Sequence, residues 1–309
     1  MLLLLAATLP RLFWDAAPDS APALRDAGIE RIAVPAAQAD AWKSASGITI
    51  DIVDPTGAVK LVAPSVDYRA NQGSASRAPW LNSNGWRFLR QPKALFVYDV
   101  KGQQAPLAAA EAFSYGANAL IRSDPAGLKP LGQMLAFLRS LPTDDLPPIA
   151  DIAFQDDGSA AAGEVMNMMV KSNLQFRIVP KPDRGVKLNV QLGSKDYPLQ
   201  DAKNPAVVAQ LVRSNLTDEK RSVRVYGSLV VTAHLTGDAG HLRIQLLNYA
   251  GADRKVDGLR VRVLGKYSRH RIAAAGSTGQ EMLDYTVEPD ATEFTLPELK
   301  TFAVIDLEK

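Results

Sequence analysis

Four aspartates in the first 125 residues lie on or beside the ends of apolar runs that predict short strands. They are Asp15, Asp54, Asp99 and Asp124. In parallel α/β sheets and barrels, ligands bind at the carboxyl ends of the strands. Two carboxylates facing one cleft there can serve as acid and base or nucleophile in glycoside hydrolysis, with their separation setting inversion or retention. Asp99 and Asp124 are the best catalytic pair, because they close consecutive predicted strands.

A structural role is open for each of these carboxylates. Aspartate is a common helix N-cap and turn former, so turn chemistry explains each of the four separately. Glu111 lies on the apolar face of a predicted helix, and we interpret it as structural.

A segment without clear periodicity precedes Asp99 and carries a second kind of chemistry. It reads SVDYRANQGSASRAPWLNSNGWRFLRQP. Long irregular loops in compact domains are often functional. Sugar rings stack on tryptophan, while their hydroxyls need amide and guanidinium partners. The predicted substrate-binding residues are therefore Arg77, Trp80, Asn84, Trp86 and Arg87. The alternative is that Trp80 and Trp86 fill the core beneath the loop.

Composition excludes several other chemistries. The chain of 309 residues has no cysteine, which removes thiol nucleophiles, disulfides and thiolate metal sites. Its three histidines, His234, His241 and His270, all lie near the C-terminus, so a Ser-His-Asp triad in the α/β part lacks its base. We expect no metal and no cofactor. A net charge of +2 without a basic block argues against a nucleic-acid partner.

Two further segments have alternative interpretations. The turn DDGSAAAG, residues 156–163, is of the strand-to-helix type that can bind an anion, but no GxGxxG or GxxxxGK[ST] motif accompanies it. The first ten residues, MLLLLAATLP, are too short to span a bilayer, which needs about 20 residues. They fit either a signal-peptide core or a buried first strand. We expect a secreted or periplasmic protein with no membrane partner.

The order of predicted elements indicates three parts. Alternating strands and helices up to the linker PTDDLPP predict a parallel α/β domain, or a truncated TIM-barrel-like domain, over residues 1–145. Residues 146–221 predict a small Rossmann-like α/β layer. Residues 222–309 are almost entirely strand and turn signal, which is typical of a β-sandwich.

Several segments carry a resemblance to a known family. Two of them, NSNGWRFLR and LAAAEAFSYGANALI, resemble a family of bacterial, secreted glycosidase-like proteins. The other three are LRIQLLNYAG, GLRVRVLGKY and TEFTLPELKTFAVIDLE. Together with the order of parts, they resemble multidomain bacterial glycoside hydrolases, above all the family 42 β-galactosidases. That family joins a TIM barrel, an amidotransferase-like domain and a small β-sandwich. The resemblance implies a carbohydrate ligand and a homo-oligomer built through the middle layer.

The chain departs from that family in three respects. A full barrel takes roughly 250 residues, and only about 145 precede the linker. The family uses two glutamates at strand ends, where this sequence predicts aspartates. Without cysteine, the amidotransferase-like layer has no glutaminase chemistry. The leading prediction is thus a glycoside-hydrolase-like protein that binds carbohydrate in its N-terminal α/β cleft, with catalysis left open. The alternatives are a non-catalytic carbohydrate-binding module and a purely structural, oligomer-forming protein.

Overall fold

The computed structural model describes residues 9–44, 47–67 and 79–309. The chain divides into two compact units. The first, called here the α/β unit, consists of Met1–Ser65 and Gln91–Asp145. The second, the β-rich unit, consists of Val66–Arg90 and Leu146–Lys309. The predicted binding segment around Trp80 therefore folds with the C-terminal half of the chain, while Asp99 and Asp124 belong to the α/β unit.

The bounds of the elements follow chain order. The first strands are β1 (Arg11–Phe13), β2 (Arg31–Val34), β3 (Thr49–Ile52), β4 (Val59–Leu61), β5 (Ser65–Asp67), β6 (Trp80–Asn82), β7 (Phe96–Val100) and β8 (Ala119–Ser123). The next are β9 (Ile152–Gln155), β10 (Phe176–Val179), β11 (Leu188–Gln191), β12 (Val223–Tyr226), β13 (Val231–Gly237), β14 (His241–Asn248), β15 (Val256–Leu264), β16 (Arg269–Ala274), β17 (Leu283–Val287), β18 (Ala291–Leu299) and β19 (Phe302–Glu308). The α-helices are α1 (Ala21–Asp26), α2 (Ala39–Trp42), α3 (Gly85–Arg90), α4 (Gln104–Ser114), α5 (Pro125–Ser140), α6 (Ala160–Lys171) and α7 (Pro205–Leu216).

The α/β unit is built on one parallel sheet, as the alternating pattern predicts. Its six strands lie in the order β3-β2-β1-β8-β7-β4, and all neighbours pair in parallel. Leu12, Ile32 and Ile121 are fully buried on the sheet face that carries Tyr98. Tyr98 donates a hydrogen bond of 2.6 Å to the buried Glu111 of α4, so this face packs on the helix layer.

The strand order of this sheet is wound in one sense. Across the sheet, β4, β7 and β8 follow one another in chain order, and so do β1, β2 and β3. Both series run in the same direction, and β8 lies next to β1. Doubly wound sheets instead reverse direction at a switch point. The strands β3 and β4, which are consecutive in the chain, form the two ends of the row.

The β-rich unit contains a smaller parallel sheet, β10-β9-β11. Helices α6 and α7 share its core, where Phe154, Met166 and Met169 have no exposed surface. The methionines are unbranched and fill irregular space between the helix and the sheet. Trp86 of α3 belongs to the same core.

Two antiparallel sheets complete this unit, as the strand-rich C-terminal sequence predicts. Their orders are β12-β15-β18-β17 and β13-β14-β19-β16. Alternate residues of β15, namely Leu259, Val261 and Val263, meet Ile244 and Ile305 of the other sheet in one shared core. Period-two burial on facing sheets explains the alternation in the sequence.

Polar side chains fasten the small parallel sheet to the antiparallel sheets. Asn173 accepts a hydrogen bond of 2.6 Å from the Ala233 amide, and Gln175 donates one of 2.8 Å to the Ala233 carbonyl. These contacts satisfy the backbone of β13, which is the end strand of its sheet. Asp151, which is 2% exposed, accepts hydrogen bonds from Lys187 and from the amide and hydroxyl of Ser222.

Candidate functional site

Charged side chains lie near the carboxyl ends of the strands, on the face of the six-stranded sheet that points away from α4. Paired residues of neighbouring strands point to the same face, and Asp99 pairs with Arg122. The Arg122 guanidinium lies 4.7 Å from the Phe13 ring centroid. It also lies 3.8 Å from a carboxylate oxygen of Asp15. The structure therefore brings Asp99, Arg122 and Asp15 to one face and one edge of the sheet.

Asp99 and Asp15 are the exposed carboxylates of this group, and Asp99 lies in the strand itself. It lies within β7 and is flanked by the buried Tyr98 and Val100, which point to the helix side. Within the described part of the chain, the Asp99 carboxylate makes no hydrogen bond or ion pair. Its carboxylate oxygens are available to a ligand, which is the state that a general acid, base or nucleophile needs before substrate arrives.

Asp124, the other predicted catalytic residue, performs a capping role. It is the N-cap of α5, and its Oδ1 accepts hydrogen bonds from the Gly127 amide (3.1 Å) and the Gly102 amide (2.9 Å). These bonds tie the start of α5 to the loop after β7. Asp124 therefore has the N-cap role that the sequence analysis gave as its structural alternative. A catalytic role for Asp124 stays a prediction.

The predicted binding segment has an interior end and an exposed end. Arg77 lies outside the described residues. Asn84 has no exposed surface, and Trp86 is only 9% exposed. Trp86 packs on α6 at Gly163, where an added Cβ would lie 2.8 Å from the indole ring. Trp86 thus fills the core, which is the alternative that the sequence analysis left open for it. Sugar contact by Trp86 or Asn84 stays a prediction.

Arginines from α3 enclose the Trp86 ring. The guanidinium of Arg87 lies 4.2 Å from the ring centroid and that of Arg90 lies 4.9 Å away. Arg87 also donates to the Ser83 carbonyl at 3.3 Å, and Arg90 forms a two-point ion pair with Asp156 at 2.7 Å per contact. Because Asp156 also accepts the Gly158 amide, the turn that the sequence suggested for an anion is occupied by the chain's own carboxylate.

Trp80 is the tryptophan of this segment that reaches an open surface. It is half-buried in β6 and lines a cleft of about 1060 Å³ in the β-rich unit. Cationic side chains from distant parts of the sequence line the same cleft. Sequence reasoning missed this group and Arg122, because their positions along the chain show no common spacing.

The three histidines have separate surroundings. His234 is buried, and this burial lowers its pKa to about 4. His241 lies 3.1 Å from Asp306, and the ring of the exposed His270 lies 4.3 Å from that of Tyr285, at an interplanar angle of 33°. Among residues 9–44, 47–67 and 79–309, no cluster of three or more His, Asp or Glu side chains has the geometry to hold a metal ion.

The helices of the described ranges include none with the length and hydropathy that a bilayer crossing requires. Residues 1–8, which hold most of the apolar run behind the predicted secreted or periplasmic location, lie outside those ranges. That location stays a prediction.

Comparison with known proteins places the fold but not the activity. No protein-family model and no curated protein matches the chain. Its fold is similar to that of α-L-fucosidase isoenzyme 2 from Paenibacillus thiaminolyticus, with a TM-score of 0.53 at 11% identity, over 71% of this chain and 61% of that one. A β-galactosidase from Rahnella sp. R3 aligns over 97% of this chain and 60% of its own, at 10% identity and a lower TM-score of 0.41. The chain thus spans about three fifths of the length of both enzymes. The likeness to the fucosidase is one of fold.

Proposed function

We propose that this chain is a glycoside-hydrolase-like protein whose α/β unit binds carbohydrate at the carboxyl edge of a barrel-like sheet. The observation that carries the proposal is the position of Asp99. It lies exposed on the face opposite the helix layer, at the edge where barrel enzymes bind ligands. The single sense of winding from β4 to β3 supports a truncated barrel, open between those two strands.

Hydrolysis at this edge would need two carboxylates with different roles. Asp99 has free oxygens, and Asp124, which follows β8, keeps its Oδ2 outside the two hydrogen bonds that its Oδ1 accepts. Arg122 lies beside Asp99 in the strand pairing and can hold a sugar hydroxyl or a developing negative charge. Asp15, which pairs with Arg122, is a further carboxylate at the same edge.

The test is sugar release from a panel of oligosaccharides and aryl glycosides. We expect Asp99→Asn to reduce turnover by about 100-fold or more, in line with the loss of a general acid or base. Asp124→Asn removes charge but keeps an oxygen that can accept the Gly127 amide, so it tests chemistry with the α5 cap retained. Asp26→Asn is the matched control, because Asp26 is exposed at the end of α1. If turnover is unchanged in both Asp99→Asn and Asp124→Asn, the catalytic assignment is wrong.

A second candidate function is carbohydrate binding without catalysis. The observation that favours it is the use of Asp124 as an N-cap, which commits one oxygen of the second predicted carboxylate to backbone amides. This alternative predicts measurable binding of an oligosaccharide by calorimetry together with no turnover on any substrate of the panel. Binding that also disappears in Trp80→Ala would locate it in the β-rich unit.

A further inference from the structure

The cleft beside Trp80 has an unusual concentration of positive charge for a chain with a net charge of only +2. It lies within the β-rich unit and is lined by α6, α7, β12 and the segments flanking β12. One carboxylate, Glu164, faces it. Its cationic lining consists of Lys171, Lys203, Arg213, Arg221 and Arg224.

The arginines of the cleft are only partly neutralised by the protein. Asp218 accepts two hydrogen bonds from Arg213, at 2.9 and 2.7 Å, and one from Arg221 at 3.0 Å. One carboxylate therefore serves two guanidinium groups. The hydrogen bonds from Arg213 lower the pKa of Asp218 well below its ordinary value, so this carboxylate stays ionised. Positive charge remains in excess after this pairing.

Two guanidinium groups also keep donors without an acceptor. Arg221 is 5% exposed, and its Nε has no hydrogen-bond partner within the described ranges. The Nε of Arg224 is in the same condition, while its Nη1 donates to the Tyr226 hydroxyl at 3.3 Å. Buried cationic donors without acceptors are costly, and nearby negative charge offsets that cost.

Helix α7 adds its positive end to the same wall. Its first residues, Pro205 and Ala206, line the cleft together with the N-cap Asn204. The Asn204 side chain makes no capping hydrogen bond. The backbone amides of the first turn and the helix dipole therefore favour a negatively charged ligand in the cleft, as its arginines and lysines do.

Aromatic surface is the second component of the cleft. Trp80 is half-buried, and Tyr226 is 42% exposed. Both line the cleft, so a ring-shaped ligand can stack on an aromatic face while its charged groups meet the cations. The volume lies at the upper end of small-ligand pockets, which is enough for more than one sugar ring.

We infer that this cleft is a binding site for an acidic oligosaccharide, one that carries carboxylate or sulfate groups on its sugar rings. The carboxylates or sulfates pair with Lys203, Arg213 and Arg224, and a ring stacks on Trp80. The inference rests on the proposed carbohydrate function but concerns a separate site, since Asp99 and Asp124 belong to the α/β unit.

Single-stranded nucleic acid is the other polymer that uses arginine and aromatic side chains. The observations favour the saccharide for two reasons. The cations surround one cleft in a chain with little net charge, whereas nucleic-acid sites follow the backbone with an extended basic track. The scaffold is also similar to that of a fucosidase.

The test is calorimetry of the whole protein with hexagalacturonate, cellohexaose and a thymidine oligonucleotide, at low and physiological salt. We expect hexagalacturonate to bind more tightly than cellohexaose by about tenfold or more, because each charge-assisted contact contributes that order of affinity. Lys203→Gln with Arg224→Gln should lose most of this preference. Arg184→Gln with Lys195→Gln is the matched control, since both residues are exposed in the same unit and lie outside the cleft lining.

Several results would overturn the inference. These are equal affinity for the neutral and acidic hexasaccharides, equal weakening by the control pair, no binding of hexagalacturonate, or tighter binding of the oligonucleotide. The glycoside panel and the calorimetry together separate the two proposals. Asp99-dependent hydrolysis without hexagalacturonate binding would overturn only the cleft. Hexagalacturonate binding with no turnover would instead count against catalysis in the α/β unit.

Discussion

At the residue scale, the aspartates near strand ends differ in what their oxygens already accept. Asp54 accepts the Thr56 amide at 2.8 Å, and hydrogen bonding to Thr56 lowers the pKa of Asp54. Asp124 and Asp156 also accept backbone amides. These are the turn and cap roles for which aspartate is suited. Asp99 differs because, in the described ranges, it is exposed and makes no such bond.

His234 provides a test of stability against pH. Burial depresses its pKa in the folded protein from 6.5 to about 4, so the unfolded chain takes up a proton before the folded one does. The free energy of unfolding should therefore fall as the pH drops from 7 through this window, with a contribution of roughly 3 kcal/mol from this residue. Above pH 7 the effect should vanish.

Urea titrations of wild type and His234→Gln between pH 7 and 4.5 measure this contribution. We expect the variant to be less stable at pH 7 and to lose less stability on acidification. His270→Gln is the control, because His270 is exposed. A variant with the same pH slope as wild type would contradict the assignment.

At the element scale, the segment around Trp80 is held by α6. Ser83 donates a hydrogen bond of 2.6 Å to Asn167, and Asn167 donates one of 3.2 Å to the Leu81 carbonyl. Both side chains are buried. A satisfied buried network fixes one arrangement of a segment. The irregular sequence therefore becomes a positioned element that places Trp80 at the cleft.

Helix α5 shows how closely another element packs. Its N-terminus is fixed by Asp124 and Pro125, and its leucines face the core. Gly132 lies against the end of α1, where an added Cβ would overlap the Ala27 carbonyl oxygen. Backbone cannot move aside as a flexible side chain can. Glycine is thus required here by close approach, although alanine is the better helix former.

We expect Gly132→Ala to destabilise the protein by about 1–3 kcal/mol, the usual range for overpacking. Gln133→Ala is the control, because this neighbouring residue of α5 is exposed. Its effect should be within about 0.5 kcal/mol of zero. Thermal and urea unfolding give the measurement. Stabilisation by Gly132→Ala, as an exposed helix position would show, would contradict the close contact.

At the scale of the whole molecule, the two units are not two halves of the chain joined at the linker PTDDLPP. Contacts between residues far apart in the sequence define them. Among the described residues, 66–67 and 79–90 belong to the β-rich unit and not to the α/β unit that precedes them in the chain. Within that unit, Pro147 and Ile149 of the linker region hydrogen-bond to β13, at 2.8 Å with the Gly237 amide and 3.0 Å with the Leu235 carbonyl. The predicted division at residues 145 and 221 stays a prediction about independent folding.

Asp151 tests whether the small parallel sheet and the antiparallel sheets unfold together. Asp151→Ala leaves Lys187 and Ser222 without their buried acceptor, which should cost about 3 kcal/mol. Hydrogen exchange should then accelerate in both β9 and β13. Asp257→Ala is the control, because Asp257 is exposed and pairs only at the surface with Lys255. Faster exchange confined to β9 would show that the two sheets open separately.

The sequence by itself determined the type of each major element. Alternation of apolar and polar residues in β15, and the periodic leucines of α5, report which face of one element is buried. These local patterns predicted a parallel α/β sheet followed by antiparallel sheets, and both are confirmed. The capping role of Asp124 was likewise within reach of sequence reasoning, because an N-cap depends on residues next to it in the chain.

Only the tertiary structure decided which elements meet. The place of β8 beside β1, the burial of Trp86, and the approach of Trp80 to Arg213 and Arg224 across one cleft all join distant positions. Such contacts depend on the free energy of packing many side chains at once, and no single residue spacing records them. The aspartates Asp15, Asp54, Asp99 and Asp124 were visible in the sequence for the opposite reason, since each lies on or beside the end of one local strand pattern.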